Sequence, residues 1–380
     1  MTVCPYDPLS PEQLRDPYPA WAQRPPVFYD EQLGLWSVTG YDEVLAVLRD
    51  TATFSSADAF ALRGFPRPRM LVAKDPPEHT QLRKRMQRAF TPRRVTELEP
   101  FIVATCHELA EALRADLMAE YANALPLRVI TKILGFEASE GPELRQWTED
   151  FLVLATPAAG SEDGGDPARI ARMRAVMART HALIEARRVD PRDDVISVLA
   201  APDLDHEDVV TLALELVIAG NDTTANLIAH MVAFLLEDRA RWERVRADRS
   251  LVPVAVEETL RRRGSSKGLF RRATRDVVVG GAEIAAGDIV HVLFAAANHD
   301  PARFPAPRDF DLDRPKQDHL AFGRWTHFCL GAPLARLEAR VALDVLLDRH
   351  PGLRAVPDQP LDYAPTLTTQ TLEKFLVEVR

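Results

Sequence analysis

The sequence predicts a mainly α-helical protein with small β-sheets, an α+β chain built as a single unit over residues 1–380. Apolar residues recur with a 3.6-residue period over long stretches, above all from Thr211 to Leu236. Short alternating runs cluster around turn glycines. No linker is long enough to part independent domains, and no internal repeat is present.

Residues 26–39 alternate through Val27, Phe28, Tyr29, Trp36 and Val38, with Gly34 between the halves, which predicts a hairpin. Helices are expected at 41–49, 77–89, 93–115, 118–135 and 140–155. The Gly-, Ser- and Asp-rich stretch 157–167 reads as a loop. Further helices are expected at 167–188, 192–200, 206–237, 239–247 and 250–263. Strand-like runs at 274–279 and 282–285 flank Gly280-Gly281, and another at 288–293 follows Ala286-Gly287-Asp288. A proline-rich coil covers 301–317, a last long helix spans 330–349, and short strands close the chain.

Hydrophobic residues make up 46% of the chain and charged residues 27%, enough for a sizeable core under an ordinary polar surface. The formal net charge of -9 argues against general nucleic-acid or anionic-membrane binding. No apolar run approaches the length that crosses a bilayer, and the first residues carry neither a basic segment nor an apolar signal core. A cytoplasmic protein with no membrane or nucleic-acid partner is expected.

Of three cysteines, Cys4 sits at the terminus and Cys106 among Ile102, Val103 and Leu109 at helical spacing. Both read as ordinary thiols, and three scattered cysteines make no disulfide framework or Cys-rich metal site. Cys329 ends a coil and directly precedes a helix. Free N–H groups and the positive dipole end at a helix start favour a thiolate, by about 0.3–1 kcal/mol at an exposed site. A cysteine there can equally be a small buried residue. The surrounding run decides between the two: Phe322-Gly-Arg-Trp-Thr-His-Phe-Cys-Leu-Gly-Ala-Pro-Leu-Ala-Arg336.

That run closely resembles the haem-binding signature of the bacterial cytochromes P450, in which Phe, Gly, a basic residue, Cys and Gly recur at these spacings. The resemblance implies the P450 fold, with haem b (Fe-protoporphyrin IX) between a long central helix and the Cys-loop helix. Cys329 would be the iron ligand, and Gly331 would let the macrocycle approach closely. The family usually carries a second Gly where this chain has Trp325. The indole is expected on the proximal side, over the sulfur or the donor-docking surface.

The helix from Thr211 to Leu236 is interrupted by Ala219-Gly-Asn-Asp-Thr-Thr224. An acid and an alcohol inside an apolar helix are costly unless paired or wet. Glycine weakens the helix by about 1 kcal/mol relative to Ala, and Thr223 could return its hydroxyl to a carbonyl and open a bulge. Ala-Gly-x-Asp-Thr matches the family's central-helix motif. By that resemblance Thr223 holds dioxygen and its water, Asp222 relays protons, and Ala219 borders the haem.

Glu258 and Arg261, 68 residues or so before Cys329, resemble the family's structural Glu-x-x-Arg element, with Arg314 as its third member. Haem propionates need cations and donors around them, and the matching positions are His79, Arg83, Arg271 and His327. At 380 residues no attached flavin or iron–sulfur reductase is expected, and a ferredoxin and a ferredoxin reductase are the expected electron donors. Lys84, Arg85, Arg88, Arg324, Arg336 and Arg340 would make a footprint for an acidic partner.

Helical spacing puts Glu215 on the face of Ala219, Asp222 and Thr223, beside Ile218. The segment Gly264-Ser-Ser-Lys-Gly268 replaces the usual apolar sequence before Arg271, bringing Ser266 and Lys267 towards the pocket. Buried charges cost several kcal/mol unless paired. Either Glu215 and Lys267 satisfy each other or water, or a polar substrate satisfies them. The expected substrate is a small polar natural product, amino-acid- or peptide-derived, that is hydroxylated or oxidatively coupled. Arg63, Arg67 and Arg69 add weak support. The competing readings are a peroxide-driven haem-thiolate peroxygenase and a non-catalytic haem-based binding or sensing protein.

Overall fold

A computed structural model describes residues 7–57, 59, 70–155, 166–200, 204–315 and 318–379. The expected loop at 157–167, apart from its last two residues, lies outside them, as do Cys4, Arg63, Arg67 and Arg69. The principal elements are β1 (Val27–Asp30), β2 (Leu35–Val38), α1 (Tyr41–Arg49), β3 (Phe54–Ser55), α2 (Glu78–Met86), α3 (Glu99–Ala112), α4 (Ala124–Leu134), α5 (Gly141–Ala155) and α6 (Pro167–Val189). After them come α7 (His206–Leu236), α8 (Val252–Arg263), β4 (Leu269–Ala273), β5 (Val277–Val279), β6 (Ala282–Ile284), β7 (Ile289–Val292), α9 (Ala332–Arg349), β8 (Arg354–Ala355) and β9 (Val377–Glu378).

The five-stranded sheet runs β1-β2-β7-β4-β3. Its β2–β7 pairing is parallel and the others are antiparallel, with Ser37 opposite His291 and His291 opposite Phe270. β5 and β6 form a hairpin whose turn, Gly280-Gly281, adopts φ of 55° and 82°, a conformation that glycine enters without steric cost.

α7 is buried on nearly every side along most of its length, the pattern of a helix inside a core rather than on its surface. The Asp205 side chain accepts from Glu207 N at 2.8 Å and caps its start. α4, α6, α8 and α9 pack around it. Gly220 sits where a Cβ would stand 3.3 Å from Ile130 Cδ1, so this glycine permits the close α4–α7 approach. The helix remains unbroken through Thr223, and the bulge expected there does not form.

Several expected boundaries move. The helix at 93–115 is two, Pro92–Glu97 and α3, because Pro100 in the first turn of α3 lacks the N–H that would continue the earlier ladder. The helix at 118–135 opens with a wider turn, Met118–Ala122, closed by Asn123 N donating to Met118 O at 2.9 Å. Pro126 has no N–H to bond back to Ala122, so the regular pattern starts only with α4. The run at 192–200 shortens to Val195–Leu199, capped by Asp194. β4 and β5 are separate strands parted by a turn at 274–276, and the short helices Pro11–Arg15, Tyr18–Ala22 and Phe294–Ala297 carry too little periodicity to be read from sequence.

Candidate functional site

Midway along buried α7, Ala219 is exposed and Ile218, Asp222 and Thr223 are half-buried, so one face of this core helix opens onto a cleft. The Thr223 hydroxyl donates to Ala219 O at 2.6 Å, which leaves its oxygen free to accept. Asn221 Nδ2 donates to Asp222 Oδ1 at 2.9 Å. Burial raises the Asp222 pKa, opposed by that hydrogen bond and by Arg145, while Glu149 adds to the rise. Ser265 Oγ donates to Thr223 O at 2.5 Å, tying the segment before β4 directly to the Asp–Thr turn of α7.

Cys329 lies two residues before Gly331, the N-cap of α9, so the helix begins two residues later than the sequence suggested. The Cys329 N–H donates to Phe322 O at 2.9 Å, closing the loop that presents the sulfur. Burial raises the thiol pKa, while hydrogen bonds from Gly331 and Ala332 N–H and the charges of Arg83 and Arg336 pull it down. A Cβ at Gly331 would meet nothing within 4 Å, so space lies open above the helix start. Trp325 opens a short turn, Trp325–His327, four residues before the cysteine. Its φ is 50°, the left-handed conformation that a glycine would enter without strain, and its side chain is 46% exposed.

A second group of side chains gathers from α2, β4 and the Cys loop. His79 is buried with neither ring nitrogen hydrogen-bonded, and its ring lies 4.2 Å from that of His327. His327 Nε2 lies 3.1 Å from Ser56 Oγ. Arg271 is buried, and its guanidinium reaches the carbonyl of the adjacent Phe270 at 2.7 Å. Burial drives the His79 pKa down to about 4 and that of Arg271 to about 10, while Arg83 depresses His79 further. Burial, then Arg271, His79 and Arg83, push His327 to about 2. Asp75 is the acid facing this group, and it already accepts from Ser55 Oγ at 2.5 Å and Ser56 N at 2.8 Å. Orphaned donors and cations this well buried call for an acidic group to complete them. A group bearing two carboxylates fits this donor set, and His79, Arg83, Arg271 and His327 are the residues that would hold those carboxylates.

Glu258, Arg261 and Arg314 come together in a buried network. Arg261 grips Glu258 through two bonds of 2.8 Å, and Arg314 Nε reaches the same carboxylate at 3.0 Å. The two guanidiniums then hold Asn298, Pro305, Ala306, Pro307 and Asp309 carbonyls, pinning the coil that leads towards the Cys loop.

Glu215 and Lys267 do not meet. Glu215 accepts from the backbone N–H groups of Leu71 and Val72 at 2.6 and 3.0 Å, so both carboxylate oxygens are taken by protein. Burial nevertheless lifts its pKa to about 7. Lys267 Nζ donates to Thr366 O at 2.7 Å, and Ser266 pairs with Thr369 across an isolated bridge. Of the expected partner footprint, Arg324, Arg336 and Arg340 are held at 2.6 Å by Asp318, Glu257 and Glu99. Lys84 and Arg88 remain exposed without an acidic partner among the described residues. The Glu215–Leu71 contact had no signature in the sequence, because it joins distant residues, whereas the left-handed Trp325 was signalled by its standing where the family usually has a Gly.

Residues 173–351 match the family model described as Cytochrome P450. The mycinamicin IV hydroxylase/epoxidase of Micromonospora griseorubida is 37% identical over 370 residues, covering 93% of this chain and 90% of its own. The cytochrome P450 CYP109Q5 from Chondromyces apiculatus superposes with a TM-score of 0.89 at 34% identity, covering 99% of this chain and 98% of that one. The cytochrome P450 CREJ, solved in complex with (4-ethylphenyl) dihydrogen phosphate, gives 0.92 at 28% identity over the full length of both chains. With a thiol loop, an acid–alcohol pair on the exposed face of a core helix and a carboxylate-seeking donor cluster, and with relatives matching along nearly its whole length, the chain belongs to the cytochrome P450 family.

Proposed function

We propose that this P450-family monooxygenase receives electrons from a separate ferredoxin and ferredoxin reductase and hydroxylates or oxidatively couples a small polar natural product. The observation that supports the reading is the partly exposed face of the buried helix α7 at Ala219, Asp222 and Thr223, in a chain that also carries the Cys329 loop. Bound haem supplies the redox iron that activates dioxygen. Overall, substrate, dioxygen, two electrons and two protons give a hydroxylated product and water, so the protein must deliver protons to a buried place.

Asp222 is suited to that task because burial favours its protonated form while Asn221 fixes its orientation. Thr223, its own proton committed to Ala219 O, offers an acceptor for a water or a substrate hydroxyl at the cleft. Burial raises the Cys329 thiol pKa, and the Gly331 and Ala332 N–H groups with the charges of Arg83 and Arg336 oppose that rise. No helix among the described residues is long and apolar enough to cross a membrane. A polar substrate is supported by Ser266 and Lys267 standing where the segment before β4 contacts α7, whereas Glu215 is occupied by backbone donors.

The test is the spectrum of reduced, carbon monoxide-treated protein with and without Cys329→Ala, followed by turnover with ferredoxin and reductase. A strongly red-shifted Soret band lost in the variant, with donor-dependent product, is the expected result. A histidine-type band in both proteins would overturn the thiolate assignment. Turnover with peroxide alone would favour the peroxygenase reading.

A further inference from the structure

Lys267 is 4% exposed, and the one hydrogen bond of its ammonium goes to the neutral carbonyl of Thr366 at 2.7 Å. An ammonium carries three donors, so two are left without an acceptor among the described residues. No carboxylate among the described residues faces it. The charged group that does is another cation, Arg263, which lowers the Lys267 pKa after burial itself. Arg263 likewise bonds to carbonyls, those of Leu14 and Arg15, and its Nε is buried without a partner. By contrast, the other buried lysine, Lys74, has its acid in Glu78.

Neighbouring polar groups share the same lack. Ser37 and His291 are partners across the parallel β2–β7 ladder, both buried, and Ser37 Oγ and His291 Nε2 have no hydrogen-bond partner among the described residues. His291 stands near enough to Lys267 to feel its charge, and its ring is steadied by Phe270 at 4.5 Å. Opposite Lys267 the hydroxyls of Thr366, Thr369 and Thr371 form a chain with 2.8 and 3.0 Å links. Lys267 itself lies two residues along the chain from Ser265, whose hydroxyl donates to Thr223 O at 2.5 Å. A buried ammonium with no acid among the described residues, together with the unused buried donors beside it, is destabilising on its own. Glu215 is not its counter-charge, since it is bound elsewhere.

We propose that the substrate carries an oxyanion, a carboxylate or a phosphate monoester, and that Lys267, aided by His291 and Ser37, anchors it while the carbon to be oxidised faces Thr223. The inference rests on the monooxygenase reading and names its substrate class. Anchoring at Lys267 fixes one end of the molecule, so selectivity would follow the length between the oxyanion and the oxidised carbon. Such recognition is by charge and hydrogen bonding rather than by apolar shape, and a neutral isostere would leave the ammonium uncompensated.

The experiment uses haem-loaded full-length protein and the Soret shift on ligand addition. The probes are alkanoates of six to about sixteen carbons, aryl-alkanoates, their methyl esters and the matching alkyl and aryl phosphates. Wild type is expected to bind at least one anion series tenfold or more tightly than its neutral ester. Lys267→Met should abolish that ratio while leaving ester affinity within about twofold, and Lys267→Arg should keep part of it. Tighter binding of carboxylates or of phosphates identifies which oxyanion is used. The wild-type comparison stands even where Lys267→Met fails to fold. Esters binding as well as acids and phosphates throughout the panel would overturn the proposal, as would an anion preference that survives in Lys267→Met. Loss of the red-shifted carbon monoxide band in wild type would instead overturn the monooxygenase reading beneath it.

Discussion

Glu215 Oε2 lies 2.6 Å from the backbone nitrogen of Leu71, a residue 144 positions earlier, and its other oxygen takes the next N–H, that of Val72. A carboxylate on the central helix thus fastens the short turn Leu71–Ala73 that leads into α2.

Burial raises the Glu215 pKa from an ordinary 4.5 to about 7, with Lys74 and the two N–H groups opposing. The folded state therefore holds the proton more tightly than the unfolded state. Its contribution to stability is greatest below pH 4.5 and is lost as the pH rises towards about 7, by an amount on the order of 3 kcal/mol. Glu215→Gln removes this titration. Thermal unfolding of wild type and variant at pH 5, 6, 7 and 8 should show wild type losing ground to the variant as pH rises. A constant difference would exclude a titrating Glu215.

The Glu258 carboxylate is shared by Arg261 and Arg314, all three nearly inaccessible. Removing one member leaves buried charge uncompensated, a loss of about 3–5 kcal/mol. Glu258→Gln and Arg261→Ala should each lower the urea midpoint and release haem, because the coil they pin leads into the Cys loop. Unchanged midpoints would show the network to be dispensable.

Arg271 is a buried cation whose one hydrogen bond among the described residues goes to a neutral carbonyl, with Asp75 the acid that acts on it, so the haem-free and haem-loaded states should respond to its loss in opposite directions. Arg271→Met is expected to stabilise the haem-free protein by about 1–4 kcal/mol, as replacing buried charge with apolar volume can do. The same change should weaken haem retention, read by transfer of haem to an acceptor protein. Destabilisation of both states would mean that Arg271 serves the fold alone.

Trp325 holds a left-handed φ of 50° that costs an L-residue roughly 1–2 kcal/mol. Trp325→Gly relieves that strain but loosens the unfolded chain by a fraction of it, so a net gain of about 1 kcal/mol in urea unfolding is expected. A loss of stability would show that contacts of the half-exposed indole outweigh the backbone cost.

Much was legible in the chain itself. The Cys329 loop, the Asp222–Thr223 interruption and the span of α7 are contiguous patterns, and α1 was readable to the residue because its apolar period, Val44, Val47 and Leu48, is local. Expectation failed where proline reset a ladder, as at Pro100 and Pro126, and where helices were too short for a period to show.

By itself the sequence determined which chemical groups the protein owns and on which helices and loops they sit, since propensity, capping and motif spacing act over a few residues. Tertiary structure alone decided which buried charges are satisfied. Glu215 found its donors at Leu71 and Val72, and Glu258 its cations at Arg261 and Arg314, while Lys267 and Arg271 found neutral carbonyls. The energy of a buried charge depends on whatever the packing brings within about 3 Å, and those neighbours come from anywhere in the chain.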